Sequence, residues 1–325
     1  MNINKYVKLV TIVPCYNEEA ILNDTYQKLS SIYDEMINSE IIDKQSTILF
    51  VNDGSKDKTW EIILSLNKNM KYACGLKLAK NVGHQNALLA GLYSAKDSCD
   101  VIISIDADLQ DDICVIPDMI SKYYEGNDIV YGVRKKRTTD TWFKRTTALL
   151  FYRLMHLLGV NTIYNHADFR LMSQRAVKQL CLYRERNLFL RGLVPLVGYQ
   201  TANVYYNRTE RLAGESKYPF TKMLNFAIEG ITSFSVKPVR MVFGLGIVFL
   251  LISVAILIWV LYSAITHNIV HGWASIILSI WFVGGCILMG LGVVGEYIGK
   301  IYIEVKDRPR YNIEEIIDKT ELMKE

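Results

Sequence analysis

The stretch Val101-Ile102-Ile103-Ser104-Ile105, followed at once by Asp106-Ala107-Asp108-Leu109-Gln110, decides how this chain is read. Its apolar half has the β-branched residues of a strand buried on both faces. Its polar half begins where that strand ends. Residues two apart project to the same side of a strand, so Asp106 and Asp108 aim their carboxylates at one place, with the Gln110 amide oxygen beside them. Carboxylates that close repel unless a cation lies between them, and hard oxygen donors suit Mg²⁺ or Mn²⁺. On spacing alone, the same residues read equally well as an acidic, solvated turn.

Four further strand candidates surround this one: Leu9–Val13, Thr47–Asn52, Gly75–Ala79 and Asp128–Val133. Helical stretches such as Glu18–Ile37, Lys58–Asn67 and His84–Ala95 separate them. The alternation predicts an α/β domain, a mostly parallel Rossmann-like sheet with helices on both faces and ligands beyond the carboxyl ends of its strands. Polar punctuation stands at those ends: Pro14-Cys15-Tyr16-Asn17-Glu18-Glu19, Asn52-Asp53-Gly54-Ser55, Lys80-Asn81-Val82-Gly83-His84 and the Asp106–Gln110 stretch. Asp53 either accepts hydrogen bonds from a ribose or base, or belongs to an ordinary Asn-Asp-Gly turn whose sharp bend Gly54 tolerates. Tyr16, Asn17 and Glu18 open a helix whose free N–H groups favour an anion, or simply cap it.

The second half changes character. Met241–Ile265 holds no charged residue and Ala274–Ile298 only Glu296, and each run exceeds the roughly 20 residues that span a bilayer. Lys237 and Arg240 precede the first run, Lys300, Lys306, Arg308 and Arg310 follow the second, and the loop Thr266–Trp273 has neither Lys nor Arg. The positive-inside rule then predicts a multi-pass protein of the cell membrane with both termini cytoplasmic. The expected organisation is a cytoplasmic catalytic domain (1–218), a juxtamembrane amphipathic segment (219–240), a transmembrane hairpin (241–298, from 241–265 and 274–298) and a cytoplasmic tail (299–325). Thr141–Val160, where Trp142, Phe143 and five leucines interleave with Lys144, Arg145 and Arg153, is expected to lie in the membrane interface, as is Ser216–Phe234. Met1–Lys8 is polar and Leu9–Pro14 too short for a signal peptide. A net charge of +4 gives no case for nucleic acid. The cysteines form no C-x-x-C pair and are expected to be reduced. Gly285, Gly292 and Gly299, with Gly295, make a stripe that permits close helix contact, within the hairpin or between subunits.

Basic residues complete the pattern. Arg134-Lys135-Lys136-Arg137 follows the fifth strand and alone reads as a solvated charge run. Within Ala167-Asp168-Phe169-Arg170, Asp168 is either a working carboxylate or a structural partner of Arg170. The segment Arg211-Leu212-Ala213-Gly214-Glu215-Ser216-Lys217-Tyr218 sets a glycine among Arg, Ser and Lys, which suits a phosphate near the membrane approach.

These motifs resemble glycosyltransferase family 2 enzymes of GT-A fold. More closely, the chain is similar to the membrane-anchored polyprenyl-phosphate group that includes bactoprenol glucosyltransferases and dolichol-phosphate mannose synthases. The matching residues are Val13–Glu19, Val51–Ser55, Asp106–Asp111, Ala167–Leu171, Gly214–Tyr218 and Gly295–Tyr302 with Arg308-Pro309. One departure is Ile113 after Asp111-Asp112, where many relatives continue with proline. The resemblance implies that Pro14, Tyr16, Asn17, Glu18 and Asp53 hold a nucleotide-diphosphate sugar. It implies that Asp108 and Gln110 bind Mg²⁺ or Mn²⁺, with Asp106 on the metal or the donor ribose. Arg134, Arg170, Arg211, Ser216 and Lys217 would meet phosphates of acceptor or donor, and Asp168 would act as base or orient the acceptor.

The implied activity is inverting transfer of a hexose, from UDP-glucose or UDP-N-acetylglucosamine ahead of GDP-mannose, to undecaprenyl (polyprenyl) phosphate for cell-envelope glycosylation. A homo-oligomer is expected. One rival reading, a processive polysaccharide synthase, calls for a Gln-x-x-Arg-Trp signature and more spans than two. Another, a non-enzymatic nucleotide-sugar-binding scaffold, sits poorly with retention of both aspartates, Gln110 and Ser216-Lys217.

Overall fold

Leu9–Cys15 is buried at every position, as a central strand must be, and it organises the sheet. This computed structural model describes residues 6–135, 166–186, 190–207, 237–265 and 272–318. The expected interfacial stretch Thr141–Val160, and Arg211, Ser216 and Lys217 with the segment leading to the first span, lie outside the described residues.

Strand β1 (Leu9–Cys15) runs parallel to β2 (Thr47–Asn52) on one side and to β4 (Val101–Ser104) on the other, and β2 pairs in parallel with β3 (Ala73–Leu78). Strands β5 (Ile129–Arg134), β6 (His166–Ser173), β7 (Thr201–Tyr206) and β8 (Ile313–Ile317) complete the order β7-β5-β6-β4-β1-β2-β3-β8. The centre is the parallel sheet the alternation predicts. Departures come at the flanks: β6 enters between β4 and β5 antiparallel to both, and β8 adds antiparallel to β3.

Helix α1 (Leu22–Asn38) buries Leu22, Tyr26, Leu29, Tyr33 and Met36, a stripe at helical spacing. With α2 (Thr59–Asn69) and α4 (Ile116–Tyr124) it covers the sheet face formed by Leu9, Val13, Ile48, Phe50, Val101 and Ile103. On the opposite face, α3 (His84–Ala95) presses Gly91 onto Ile12 and Val51. Helices α5 (Gln174–Leu180) and α6 (Leu190–Leu196) follow β6. Helix α1 begins at Leu22 rather than at the expected Glu18: Asn17 turns left-handed at φ 56°, and the N–H groups of Asn17, Glu18 and Glu19 tie this segment to Ser55, Thr59 and Asp57.

The chain divides into two compact units, and β8 belongs to the same unit as β1–β7. The second unit contains α7 (Lys237–Ile265) and α8 (Trp273–Lys306). Helix α8 continues past the expected limit at Ile298 and stops where Asp307 turns left-handed at φ 42°. The stretch 299–325, expected as a tail, therefore includes the end of α8 and strand β8. Phe249 and Phe282 meet edge to face at 5.6 Å, and Gly290 lies close to Val242. Among the described residues, Phe282–Lys306 is long and apolar enough to cross a membrane, and Val239–Phe249 is a shorter apolar stretch. Phe243, Leu251, Leu288 and Met289 are exposed. Among the described residues nothing lies within 4 Å of a side-chain position at Gly285, Gly292, Gly295 or Gly299.

Candidate active site

The chain leaves β1 for β2 on one side and later returns to β4 on the other, which opens a crevice at their carboxyl ends. The Ile12 carbonyl accepts from Ile105 N–H at 3.1 Å, and the Cys15 carbonyl accepts from Asp53 N–H at 2.9 Å. By that alternation Pro14, which has no N–H, points to the side where β4 has already ended, so no ladder bond is lost.

Two loops are zipped together at the first of these ends. Asn17, at φ 56°, accepts from Lys56 N–H through its side-chain oxygen at 2.9 Å, and its own N–H donates to Ser55 Oγ at 3.0 Å. Glu18 N–H donates to Thr59 Oγ1 at 2.9 Å, and Tyr16 stands exposed on the rim. Asp53 is buried, and its oxygens accept from Val82 N–H at 2.7 Å and Gly83 N–H at 2.9 Å. Gly54, at φ +61°, lets the turn pass against that same loop, since an added Cβ would lie 2.5 Å from Asn81 N. The residue expected on a ribose or base is thus engaged in clamping the loop that starts α3.

That loop delivers His84, whose Nε2 lies 3.4 Å from Asp106 Oδ1. The Asp106–Gln110 turn is fixed from within and without. Leu109 N–H, at φ 42°, donates to the Asp106 carbonyl at 3.2 Å, and Thr25 Oγ1 donates to the Ala107 carbonyl at 2.7 Å. Gln110 Nε2 donates to Asp108 Oδ2 at 2.6 Å, so its amide is aligned on Asp108. Burial, and behind it the charges of Asp168, Asp111 and Asp108, push the Asp106 carboxyl above the usual carboxylate range, against the pull of His84. Carboxylates are crowded here. Among the described residues no group of three or more His, Cys, Asp or Glu is set to hold a metal. The donor set nevertheless fits a hard divalent cation: Asp106 and Asp108 would supply oxygens and substrate phosphates the rest, as is usual for Mg²⁺.

Across from Asp106 stands Asp168, on β6. Arg170 Nη2 donates to its Oδ1 at 2.6 Å, and Arg191 on α6 donates from Nε to Oδ1 at 3.3 Å and from Nη2 to Oδ2 at 3.0 Å. Burial alone would lift this carboxyl, but the two guanidiniums hold it well below the usual range. Arg170 is itself buried, so it is a partner of Asp168 within the sheet. Arg134, expected to meet a phosphate, places Nε and Nη2 3.1 and 2.8 Å from Asp111 Oδ1, which Tyr206 also reaches at 2.7 Å.

The structure thus brings Asp106, Asp108, Gln110, Asp168 and Arg170 to one centre, with Pro14–Glu18 and Asp53 on the adjoining rim. Two residues of that centre escaped sequence reasoning. His84 stood in a strand-end motif and needed only the step from motif to side chain. Arg191 gave no signal, because its pairing with Asp168 depends on the path of α6 alone. The cysteines are all free thiols, with Cys15, Cys74, Cys99 and Cys181 buried.

Residues 10–181 match the model of the family described as Glycosyl transferase family 2. A protein of Bacillus subtilis (strain 168) described as an uncharacterized glycosyltransferase, YkoT, is 55% identical over 94% of this chain and 91% of its own length. A SfII prophage-derived bactoprenol glucosyl transferase of Shigella flexneri is 42% identical, over 94% of this chain and 97% of its own. A prophage bactoprenol glucosyl transferase homolog of Escherichia coli (strain K12) is 41% identical over 95% and 99%. With its GT-A-type α/β sheet and the carboxylates gathered at the switch point, this chain belongs to glycosyl transferase family 2 and is a glycosyltransferase.

Proposed function

We propose that the protein transfers a hexose, with inversion, from a nucleotide-diphosphate sugar to undecaprenyl or another polyprenyl phosphate at the cytoplasmic face of the cell membrane. UDP-glucose and UDP-N-acetylglucosamine are the preferred donors. The observation that carries this reading is the gathering of charged groups beyond the carboxyl end of β4: Asp106 and Asp108 with His84, and on the neighbouring strand β6 Asp168 with its two arginines. Bactoprenol glucosyl transferases among the relatives support the acceptor class.

The chemistry divides accordingly. A divalent cation held by Asp106 and Asp108, with Gln110 steadying Asp108, would neutralise charge on the leaving diphosphate. Pro14, Tyr16, Asn17, Glu18 and the Asp53-clamped loop form the rim on which the nucleotide would lie. The acceptor is a phosphate monoester with a second pKa near roughly 6, so at neutral pH it is already a nucleophile. It attacks the sugar C1 from the face opposite the diphosphate, turning an α-linked donor into a β-linked product. Arg170 fixes Asp168, and Arg211, Ser216 and Lys217 are proposed phosphate contacts from the membrane approach.

Two observations support the membrane setting. Among the described residues, large apolar side chains of α7 and α8 such as Phe243, Leu251, Leu288 and Met289 are exposed, which is costly in water and favourable in lipid. Strand β8, after α8, pairs in one sheet with strands that precede α7, so the chain between them would cross a bilayer an even number of times. That favours a two-helix hairpin, and a glycine stripe on α8 permits the close helix contact that a homo-oligomer would use.

The test is transfer itself. Purified protein with undecaprenyl phosphate, Mn²⁺ or Mg²⁺ and radiolabelled UDP-glucose, UDP-N-acetylglucosamine or GDP-mannose is expected to yield labelled lipid with one donor. Folded protein that labels lipid from none of them overturns the proposal.

A further inference from the structure

Asp168 carries two guanidiniums, and they differ in kind. Arg170 is 1% exposed and locked at 2.6 Å, a counter-ion sealed within the sheet. That single partner already neutralises the carboxylate. Arg191 lays its Nε and Nη2 edge along both oxygens of Asp168, yet 38% of its side chain stays exposed. Leu190 N–H donates to Gln85 Oε1 at 2.9 Å, which ties the start of α6 to the first turn of α3. The same turn carries His84, beside Asp106. A second guanidinium, anchored through its Nε–Nη2 edge on a half-buried carboxylate and itself part-exposed, is placed to meet an anion that arrives from outside.

We propose that Arg191 receives the phosphate of the lipid acceptor, and that Asp168 is a positioning residue that anchors the Arg191 guanidinium for it. The inference rests on the acceptor reading above. No proton need go to Asp168: an oxygen of the dianionic phosphate bonds to the sugar C1 as the bond from C1 to the diphosphate oxygen breaks, and the electron pair leaves with the diphosphate. The electrostatics agree. Held well below the usual carboxylate range, Asp168 takes up almost no protons at neutral pH and is a poor general base. Arg170 cannot share the task, since it is buried.

The experiment varies undecaprenyl phosphate and the active donor separately, with the full-length protein in mixed micelles. Arg191→Gln is expected to raise the KM for undecaprenyl phosphate about tenfold or more, as loss of a charge-assisted contact should, while the donor KM moves less than about twofold. Arg191→Lys is expected to fall between, because an ammonium keeps the charge without the fork. Asp168→Asn is expected to raise the same acceptor KM and to leave the shape of the kcat–pH profile unchanged. The double variant should be little worse than the poorer single one, because the pair acts as a unit. If Arg191→Gln does not melt cooperatively, Arg191→Lys carries the measurement.

A donor KM that rises while the acceptor KM stays put assigns Arg191 to the leaving diphosphate and overturns the inference. Unmoved KM values overturn it as well, and so does an Asp168→Asn enzyme that loses the acid limb of its kcat–pH profile, the limb a general base produces. Wild-type protein that never uses undecaprenyl phosphate overturns the acceptor reading and this inference together. Wild-type protein that does use it, with Arg191 variants of unchanged KM, overturns this inference alone.

Discussion

Asp53 takes backbone N–H groups from two successive residues, Val82 and Gly83, one on each oxygen. An amide cannot replace it, because Asn would turn an NH₂ toward one of those N–H donors. Asp53→Asn is therefore expected to cost about 1–3 kcal/mol of stability, the penalty of a buried donor left unpaired. Urea unfolding reads the loss, and amide hydrogen exchange at Val82 and Gly83 should quicken before global unfolding. Unchanged exchange at those amides would remove the clamp. At this scale the sequence was unevenly legible. Asp106 and Asp108 could be read because a strand and its alternation are local facts. Asp53 could be placed at a strand end but not given its partners, which lie in another loop. Arg134, expected by resemblance to meet a phosphate, could not be given its actual partner, because nothing local announces that it and Tyr206 converge on Asp111.

Helix α3 shows how an element carries a residue into place. Its Gly91 rides directly on the sheet: a Cβ there would come within 2.6 Å of Ile12 Cγ2 and 3.0 Å of Val51 Cγ2. Gly91→Val must lift the helix or push those side chains aside, an overpacking cost of about 1–3 kcal/mol. Because His84 opens the same helix, the lift should also disturb its approach to Asp106. Weaker Mn²⁺ binding by calorimetry, beyond what a surface variant such as Lys96→Ala shows, is the expected result. Stability and Mn²⁺ affinity both at wild-type levels would mean that α3 does not set this distance. Strands β1 to β5 and helices α1 to α3 were legible because parallel α/β units repeat a long, buried apolar pattern. Strand β8 was not. Ile313-Glu314-Glu315-Ile316-Ile317 is an edge strand, mostly exposed, and only its remote partner β3 and the Lys77–Glu314 ion pair at 2.9 Å make it one.

At the scale of the sheet, two carboxylates are balanced by arginines. Asp128, with Ser173 and Arg175, and Asp168, with Arg170 and Arg191, are both held below the usual carboxylate range in spite of burial. A depressed folded value means stability that is present above the unfolded pKa of about 3.9 and lost as pH falls through the folded one. Melting temperature is thus expected to hold from pH 8 to about 5 and to drop below about 4; Asp128→Asn should flatten part of that drop. A melt independent of pH down to about 3 would contradict it. The same sheet also constrains topology. Strands β3 and β8 pair directly, although α7 and α8 lie between them in the chain. If α8 crosses a membrane, a second crossing must bring β8 back to the side of β3, and the run 241–265 is proposed to supply it. A reporter fused after Glu325 is therefore expected on the cytoplasmic side, with one inserted at residues 266–271 outside. Finding both reporters on one side would leave α7 and α8 as surface helices; finding the Glu325 reporter outside would mean that β8 cannot pair with β3 in the membrane-bound protein.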